Sequence, residues 1–371
     1  MGKGKKSKIA VIKIGTSVIT TKSGNLDRNR IKHVAEQVSR IKKKGFNAVI
    51  VSSGAIGAGI GLLNLSSRPE YLPELQACAA IGQVQLMKVY DEHFRKFGYL
   101  TAQVLLTQDD VNNRSRYLNA RNTIMALIKK NVIPVINEND TISTEEIKFG
   151  DNDRLSSLVS ILIEADILIM MSDVDGLYRF DLKDKTKKEL IKRVEHFSDA
   201  LEDLVLKECG RFSVGGMRTK LQAVRMAVNA GIECVFVNGR KKNILADIFN
   251  GKEAGTVFVS TQPKISARKR WIAYSSKTKG AVKVDAGARD ALIKKNRSLL
   301  ASGVIGYSGQ FSVGDSVYIV DESDKEFARG IVNYSSAELI KIKGLKTKDI
   351  ENALGYKYYD EVIHRDNLVI L

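Results

Sequence analysis

The sequence has little of what disulfide, zinc or histidine chemistry needs. Of 371 residues only three are cysteine (Cys78, Cys209, Cys234) and four are histidine (His33, His93, His196, His364). The cysteines are far apart and form no C-x-x-C pair, which argues against a disulfide scaffold and a zinc site and for a reducing compartment. No H-x-x-x-H occurs, so histidine metal chemistry has no starting point. No apolar run reaches the roughly 18 residues of a membrane span. The basic start, Met1 to Lys8, leads into a strand-like run without the apolar core and cleavage site of a signal peptide. A cytoplasmic protein with no membrane partner is therefore expected.

Phosphate-binding signatures are missing too. Gly57 and Gly59 are followed by Gly61, one residue early for the dinucleotide fingerprint, and G-x-x-x-x-G-K-[ST] is absent. No period of about 20–50 residues repeats, which excludes a solenoid. Aromatics make up only 7% of the chain. The net charge of +17 suits a polyanionic substrate, a nucleic acid or a basic proteome. The lysines are scattered rather than interleaved with stacking aromatics, so charge alone does not point to RNA.

What is present is alternation. Apolar runs at Ile9–Ile14, Ala48–Val51, Ala102–Leu106, Val132–Ile136, Ile167–Met171 and Cys234–Val237 read as buried strands. Between them lie helical patterns: Ile31, Val34, Val38 and Ile41 closed by Gly45; Glu70 to Phe97 closed by Gly98; then 116–130, 155–163 and 220–230. Repeated βα units with near-continuous apolar strands predict an α/β fold, a mainly parallel open sheet between two helical layers. The character changes near Pro263. We divide the chain into a first domain over 1–262, a linker over 263–279 and a small, mostly β, barrel-like domain over 280–371. The latter has short strands expected at Ala281–Val284, Val304-Ile305, Val317–Val320 and Leu339–Ile342.

In such sheets ligands bind beyond the carboxyl ends of strands. There the sequence places Lys13, Gly15, Thr16 and Ser17; Ser52, Ser53 and Gly54; Asn137 to Asp140; and Ser172-Asp173. Gly54, Gly57, Gly59 and Gly61 read as a glycine-rich turn toward a helix, either binding an anion on free N–H groups or packing closely. Lys13, inside an apolar strand, either snorkels at an edge or faces a site. The stretch Val214, Gly215, Gly216, Met217, Arg218, Thr219, Lys220 reads as a flexible helix entry suited to polyphosphate, or as an ordinary loop. Asp140, Asn152 and Asp153 flank an insert, 141–150, carrying Glu145, Glu146 and Lys148. Asp151 or Asn152 can serve merely as a helix cap. Carboxylates and amides from two junctions also suit the amino group and carboxylate of a small zwitterion, and Asp153 suits a partner for two lysines.

The motifs VIKIGTS, VSSGAIGAG, LLTQDD, RYLNARNT, VIPVINEND, EIKFGDND, SDVDGLY and GGMRTKLQA resemble the amino acid kinase family. Within it they are similar to the branch that phosphorylates the side-chain carboxylate of glutamate, the first step of proline biosynthesis. The tail, from Ala281 to Asp321, resembles a PUA domain. The resemblance covers nearly the whole chain and implies these roles. Lys13 contacts ATP phosphates. Ser53, Asp140 and Asn152 bind glutamate. Ser172, Asp173 and residues 214–220 bind ATP. Asp153 organises the catalytic Lys13 and Lys220. It also implies Mg²⁺, inhibition by proline, a dimer or tetramer, and RNA as a candidate partner of the tail. One departure stands out: the family's Gly-Thr-Gly-Gly-Met loop has Ser213-Val214 here in place of its first two residues. A sister kinase with another acceptor, and an RNA-binding protein on a kinase-like scaffold, are the competing readings.

Overall fold

Lys13 is one polar residue in a six-residue run of apolar ones, and the strand it sits in decides the rest. β1 (Ile9–Ile14) is buried along its whole length. Such a strand must be central, with neighbours on both edges and cover on both faces. The computed structural model describes residues 8–21, 25–142, 151–180, 188–197, 214–260, 269, 271–275 and 278–371. They form two compact units, Met1–Asp110 with Arg116–Lys264, and Val111–Ser115 with Ile265–Leu371.

In the first unit β1 is followed by α1 (Thr16–Ile19), α2 (Arg28–Lys43), β2 (Asn47–Ser52), α3 (Ala55–Leu62), α4 (Leu72–Arg95), β3 (Thr101–Leu106), α5 (Gln108–Asn112), α6 (Arg114–Lys129), β4 (Ile133–Glu138), α7 (Asp151–Leu162) and β5 (Ile167–Ser172). Short strands β6 (Tyr178–Phe180), β7 (Lys188–Leu190) and β8 (Arg193–Val194) come next. The unit ends with α8 (Val214–Asn229), β9 (Glu233–Asn238), α9 (Ile244–Phe249) and β10 (Thr256–Phe258). Eight strands lie in the order β3-β4-β2-β1-β5-β9-β10-β8. From β3 through to β9 every pairing is parallel; β10 runs antiparallel to β9. The chain leaves β1 toward β2 on one side and returns to β5 on the other. That reversal opens a crevice at the strands' carboxyl ends.

Alternation along β1 sorts the layers. Ile12 and Ile14 join Ile50, Val135, Ile169 and Met171 in a core with Val34, Val38 and Ile41 of α2 and Leu86, Tyr90 and Phe94 of α4. Lys13 points to the other face, where α7 packs across β1, β2, β4 and β5. Helix α8 packs on α7, and the buried Ser157 hydroxyl donates to the Ala223 carbonyl at 2.7 Å, fixing one helix against the other.

The four glycines near residue 54 divide by function. Gly54 sits at φ +102°, a left-handed conformation that lets the chain turn from β2 into α3. Gly57, Gly59 and Gly61 lie inside α3 rather than in a turn. A Cβ on Gly59 would overlap the Cys78 carbonyl of α4, and one on Gly82 would overlap the Ala55 carbonyl of α3. At Gly59 the close approach is of helix to helix, not of helix to strand as the close-packing reading expected. The expected long helix over 70–97 is observed as α4, with Gly98 after it at φ +79°.

The second unit contains β11 (Thr278–Val284), α10 (Ala286–Lys295), β12 (Val304–Gly309), β13 (Ser316–Val320), β14 (Glu326–Ile331), α11 (Ser336–Ile342), α12 (Ile350–Leu354) and β15 (Leu368–Ile370). Its sheet order is β12-β11-β13-β14-β15, over a core that includes Val282, Val317, Ile319, Phe327 and Leu339. Residues 339–342, expected as a strand, are helical. Ser335 accepts from the Glu338 N–H while Glu338 accepts from the Ser335 N–H, a reciprocal cap that the S-x-x-E spacing encodes. Trp271–Ser275, within the stretch read as linker, forms a π-helical turn. Its Ile272 is fully buried and clusters with Val369 of β15. Among the described residues no helix is long and apolar enough to cross a membrane.

On an exposed helix alanine is favoured over glycine by about 0.5–1 kcal/mol. For Gly59→Ala we expect the opposite sign, a loss of about 1–3 kcal/mol from overpacking against backbone that cannot rotate away. Urea denaturation of parent and variant measures it; an unchanged or raised midpoint would contradict the close contact.

Candidate active site

The carboxyl ends of β1, β2, β4 and β5 open into a cavity of about 380 Å³. Its wall begins with backbone. The Gly15 N–H donates to the Met171 carbonyl at 3.0 Å, and the Ser53 N–H donates to the Ile14 carbonyl at 3.2 Å. These bonds keep the three strands in step past their ends, so Gly15, Thr16 and Ser17 line the cavity together with Ser53, Gly54 and Ala55. The N-terminus of α3 carries no side-chain cap. Its first residues, Ala55, Ile56 and Gly57, line the cavity, where the unpaired N–H groups of a helix start favour an anion.

One end of the cavity is cationic around a single carboxylate. Asp153, in the first turn of α7, is 1% exposed and Lys13 is 6% exposed. Their charged atoms, Lys13 Nζ and Asp153 Oδ1, are 2.5 Å apart. Asp153 Oδ2 takes Lys220 Nζ at 3.3 Å and the Thr219 hydroxyl at 3.4 Å. Lys220 also donates to the Gly216 carbonyl at 3.2 Å, within its own helix. Burial lowers the Lys13 pKa; the Asp153 carboxylate opposes that shift and the Lys220 charge adds to it. Two lysines held beside Asp153, with Asp173 also within electrostatic reach of Lys13, make a wall of fixed charges suited to phosphate oxygens.

The other end is made of amides, a hydroxyl and acids. Asn152 donates both amide hydrogens, to Ser53 Oγ at 3.1 Å and to Asn137 Oδ1 at 3.0 Å. Asp140 and Glu138 line the same end, with Arg68. Ser172 and Asp173 close the wall beyond β5, the Ser172 hydroxyl donating to Asp173 at 3.1 Å.

The cavity therefore gathers Lys13, Ser53, Asp140, Asn152, Asp153, Ser172, Asp173, Gly216 and Lys220. Val214 and Gly215 begin α8, so residues 214–220 form its first two turns rather than a loop. Met217, Arg218 and Thr219 are not part of the lining, although Thr219 reaches Asp153. Ser213 and the insert residues Glu145, Glu146 and Lys148 lie outside the described residues. Sequence reasoning missed Arg68, which follows Ser66-Ser67 in a stretch without periodicity. It also missed Arg240, whose guanidinium donates to the Ser17 carbonyl at 2.8 Å and steadies α1 after β1. No local pattern marks either residue. Among the described residues no cluster of three or more His, Cys, Asp or Glu side chains is placed to hold a metal ion.

Comparison with known proteins places the chain in a family. The chain matches the amino acid kinase family over residues 8–238 and the PUA domain over residues 280–354. It is 48% identical to a glutamate 5-kinase of Thermoanaerobacter sp. (strain X514), covering 97% of each chain. It is 44% identical to one of Geobacter sp. (strain M21), covering 99% of this chain and 98% of that one. Among solved structures, carbamate kinase from Giardia lamblia bound to AMP-PNP shares the fold. It is 17% identical with a TM-score of 0.50, over 68% of this chain and 99% of that chain.

The two lysines should respond differently to loss of their shared partner. Asp153→Ala leaves the buried Lys13 uncompensated and should cost about 3–5 kcal/mol of stability. Lys220 has a partly exposed side chain, so Lys220→Ala should cost less than half of that. Without Asp153, burial holds the Lys13 pKa still further below the ordinary 10.5. The unfolded chain then binds the extra proton at any pH between the two values. Stability of Asp153→Ala therefore rises with pH across that window. Denaturation at pH 7 and pH 9.5 tests the sign; a deficit that grows with pH would refute the assignment.

Proposed function

This chain belongs to the amino acid kinase family, and from that membership we propose that it transfers the γ-phosphoryl group of ATP to the side-chain carboxylate of L-glutamate. The product is L-glutamyl 5-phosphate, and the reaction opens proline biosynthesis. The observation that carries this reading is one cavity with a two-lysine wall at one end and the Ser53, Asp140 and Asn152 set at the other. The first suits a triphosphate. The second suits a zwitterion, with Asp140 for the ammonium group. An N-acylated substrate has no ammonium group for Asp140 to meet.

The chemistry fits a site without a histidine or cysteine base. A glutamate side chain, with a pKa near 4.3, is already ionised at neutral pH and needs no deprotonation. A carboxylate oxygen attacks the γ-phosphorus, the bond to the β–γ bridging oxygen breaks, and ADP leaves with its electron pair. The obstacle is repulsion between two anions. Lys13 and Lys220 offset it, Asp153 keeps both aimed, and the α3 N–H groups add positive potential. Mg²⁺ enters as MgATP, held mainly by phosphate oxygens and water.

Ser172, Asp173 and the first turns of α8 form the nucleotide side in this reading. Proline, which has glutamate's α-carboxylate and a cationic amine but no side-chain carboxylate, fits the Asp140 and Asn152 end and acts as a feedback inhibitor. A homo-oligomer, a cytoplasmic location and RNA contact by the second unit complete the reading. The free, buried thiols of Cys78 and Cys234 suit that location.

Coupled ADP release over glutamate, N-acetylglutamate and a nucleoside monophosphate tests the substrate. Glutamate should be the one acceptor; turnover with either of the others alone would overturn the assignment. Lys220→Ala should lower kcat about 10²–10³-fold, as removal of one preorganised charge donor does. A kcat within threefold of the parent would remove Lys220 from the mechanism. Inhibition by proline should be relieved by raising glutamate, and Asp140→Asn should weaken both ligands together. Purely noncompetitive inhibition would put the regulatory site elsewhere. A chain ending at residue 262 should keep kinase activity, because every proposed site residue precedes it; a folded but inactive product would show otherwise.

A further inference from the structure

We propose that Gln83, on α4 and outside the cavity, is a positioning residue that sets which way round the Asn152 amide faces glutamate. The proposal rests on the reading of this cavity as a glutamate site. Its starting point is a donor whose identity is fixed by covalent structure. The backbone N–H of Glu138 donates to Asn137 Oδ1 at 3.0 Å. A backbone N–H can only donate, so the Asn137 oxygen must face it. The Asn137 amide nitrogen is then turned toward α4, where it donates to Gln83 Oε1 at 2.9 Å. Gln83 in turn donates its Nε2 to Gln103 Oε1 at 3.3 Å. Asn137 is 2% exposed and Gln83 7% exposed, so water does not readily substitute for either partner.

The orientation passes on to Asn152. The Asn137 oxygen, fixed as an acceptor, requires the Asn152 nitrogen on its side, at 3.0 Å. The second hydrogen of that nitrogen goes to Ser53 Oγ at 3.1 Å. Two consequences follow at the cavity. Asn152 Oδ1, shielded from water, is left as an acceptor with no hydrogen-bond partner among the described residues. Ser53 Oγ, already accepting, keeps its own hydrogen to donate. An acceptor for an ammonium group and a donor for a carboxylate are thereby defined by a chain that begins at a backbone amide. Amide groups at the far ends of such chains are free to rotate by half a turn unless a partner prevents it. Gln83 supplies the acceptor that makes the observed orientation of Asn137 the satisfied one.

The test separates this role from the substrate reading. The parent enzyme is first assayed for glutamate-dependent ADP release, and inactivity there would sink the substrate reading. Given an active parent, Gln83→Met keeps the side chain's size and removes its acceptor. The KM for glutamate should rise about 5–20-fold, with kcat within twofold and the KM for ATP unchanged. Gln83→Glu retains an acceptor oxygen and should restore the KM for glutamate to within threefold. A KM for glutamate unchanged in Gln83→Met overturns the proposal. So does a parallel change in kcat, both KM values and the denaturation midpoint, since that marks a purely structural contact. Failure of Gln83→Glu to restore KM, at a denaturation midpoint equal to the parent's, overturns it as well.

Discussion

A carboxylate with almost no access to water, flanked by two ammonium groups, is the interaction on which this structure turns. Removing Asp153 and Lys13 from solvent is costly, and each is tolerable only because the other is present. The pairing ties strand β1 to helix α7 at 2.5 Å and helix α7 to helix α8 at 3.3 Å. A catalytic charge is most effective when it has no freedom to reorganise. Here the freedom is taken away by the fold itself, through a carboxylate that need not touch either substrate.

The two ends of the cavity are built on different terms. In the proposed reading the phosphate end relies on charge, and its lysines are long, tethered and close to Asp153. The acceptor end relies on the acids Asp140 and Glu138 together with amides whose directions are set by hydrogen bonding. Charge attracts any anion of the right size, whereas directed amides discriminate. In the proposed reaction the first property serves rate and the second serves choice of substrate.

Much of this was legible in the residues. Continuous apolar strands interrupted by helical periodicity announced the parallel sheet, and small or polar residues after the strands marked the edge where the cavity opens. Lys13 and Asp153 were identifiable because charged residues amid apolar runs need a reason to be there. Other features were not legible. Gly57, Gly59 and Gly61 read as a turn because spacing cannot tell whether a glycine serves a bend or a close approach. The approach to α4 involves residues some twenty positions away. Residues 339–342 read as a strand because four apolar-rich residues fit both periods; only the S-x-x-E cap upstream separates them. Gln83 carried no signal, since its role depends on a backbone amide in another element. The first two turns of α8 looked like a flexible loop because paired glycines lower helix propensity, and the packing of α8 on α7 overrides it.

The position of Lys13 has a consequence for folding as well. Its neighbours in register are Val51 on one side and Met170 on the other. In an otherwise uniform apolar strand, sliding β1 by one residue would leave nearly the same hydrocarbon buried on each face. The lysine removes that degeneracy. A slip of one would carry its ammonium to the opposite face, among Ile50 and Ile169, away from the Asp153 carboxylate that balances it. The residue that would meet the nucleotide thus also acts as a register pin, telling the correct strand alignment from its nearest competitor before any ligand is bound.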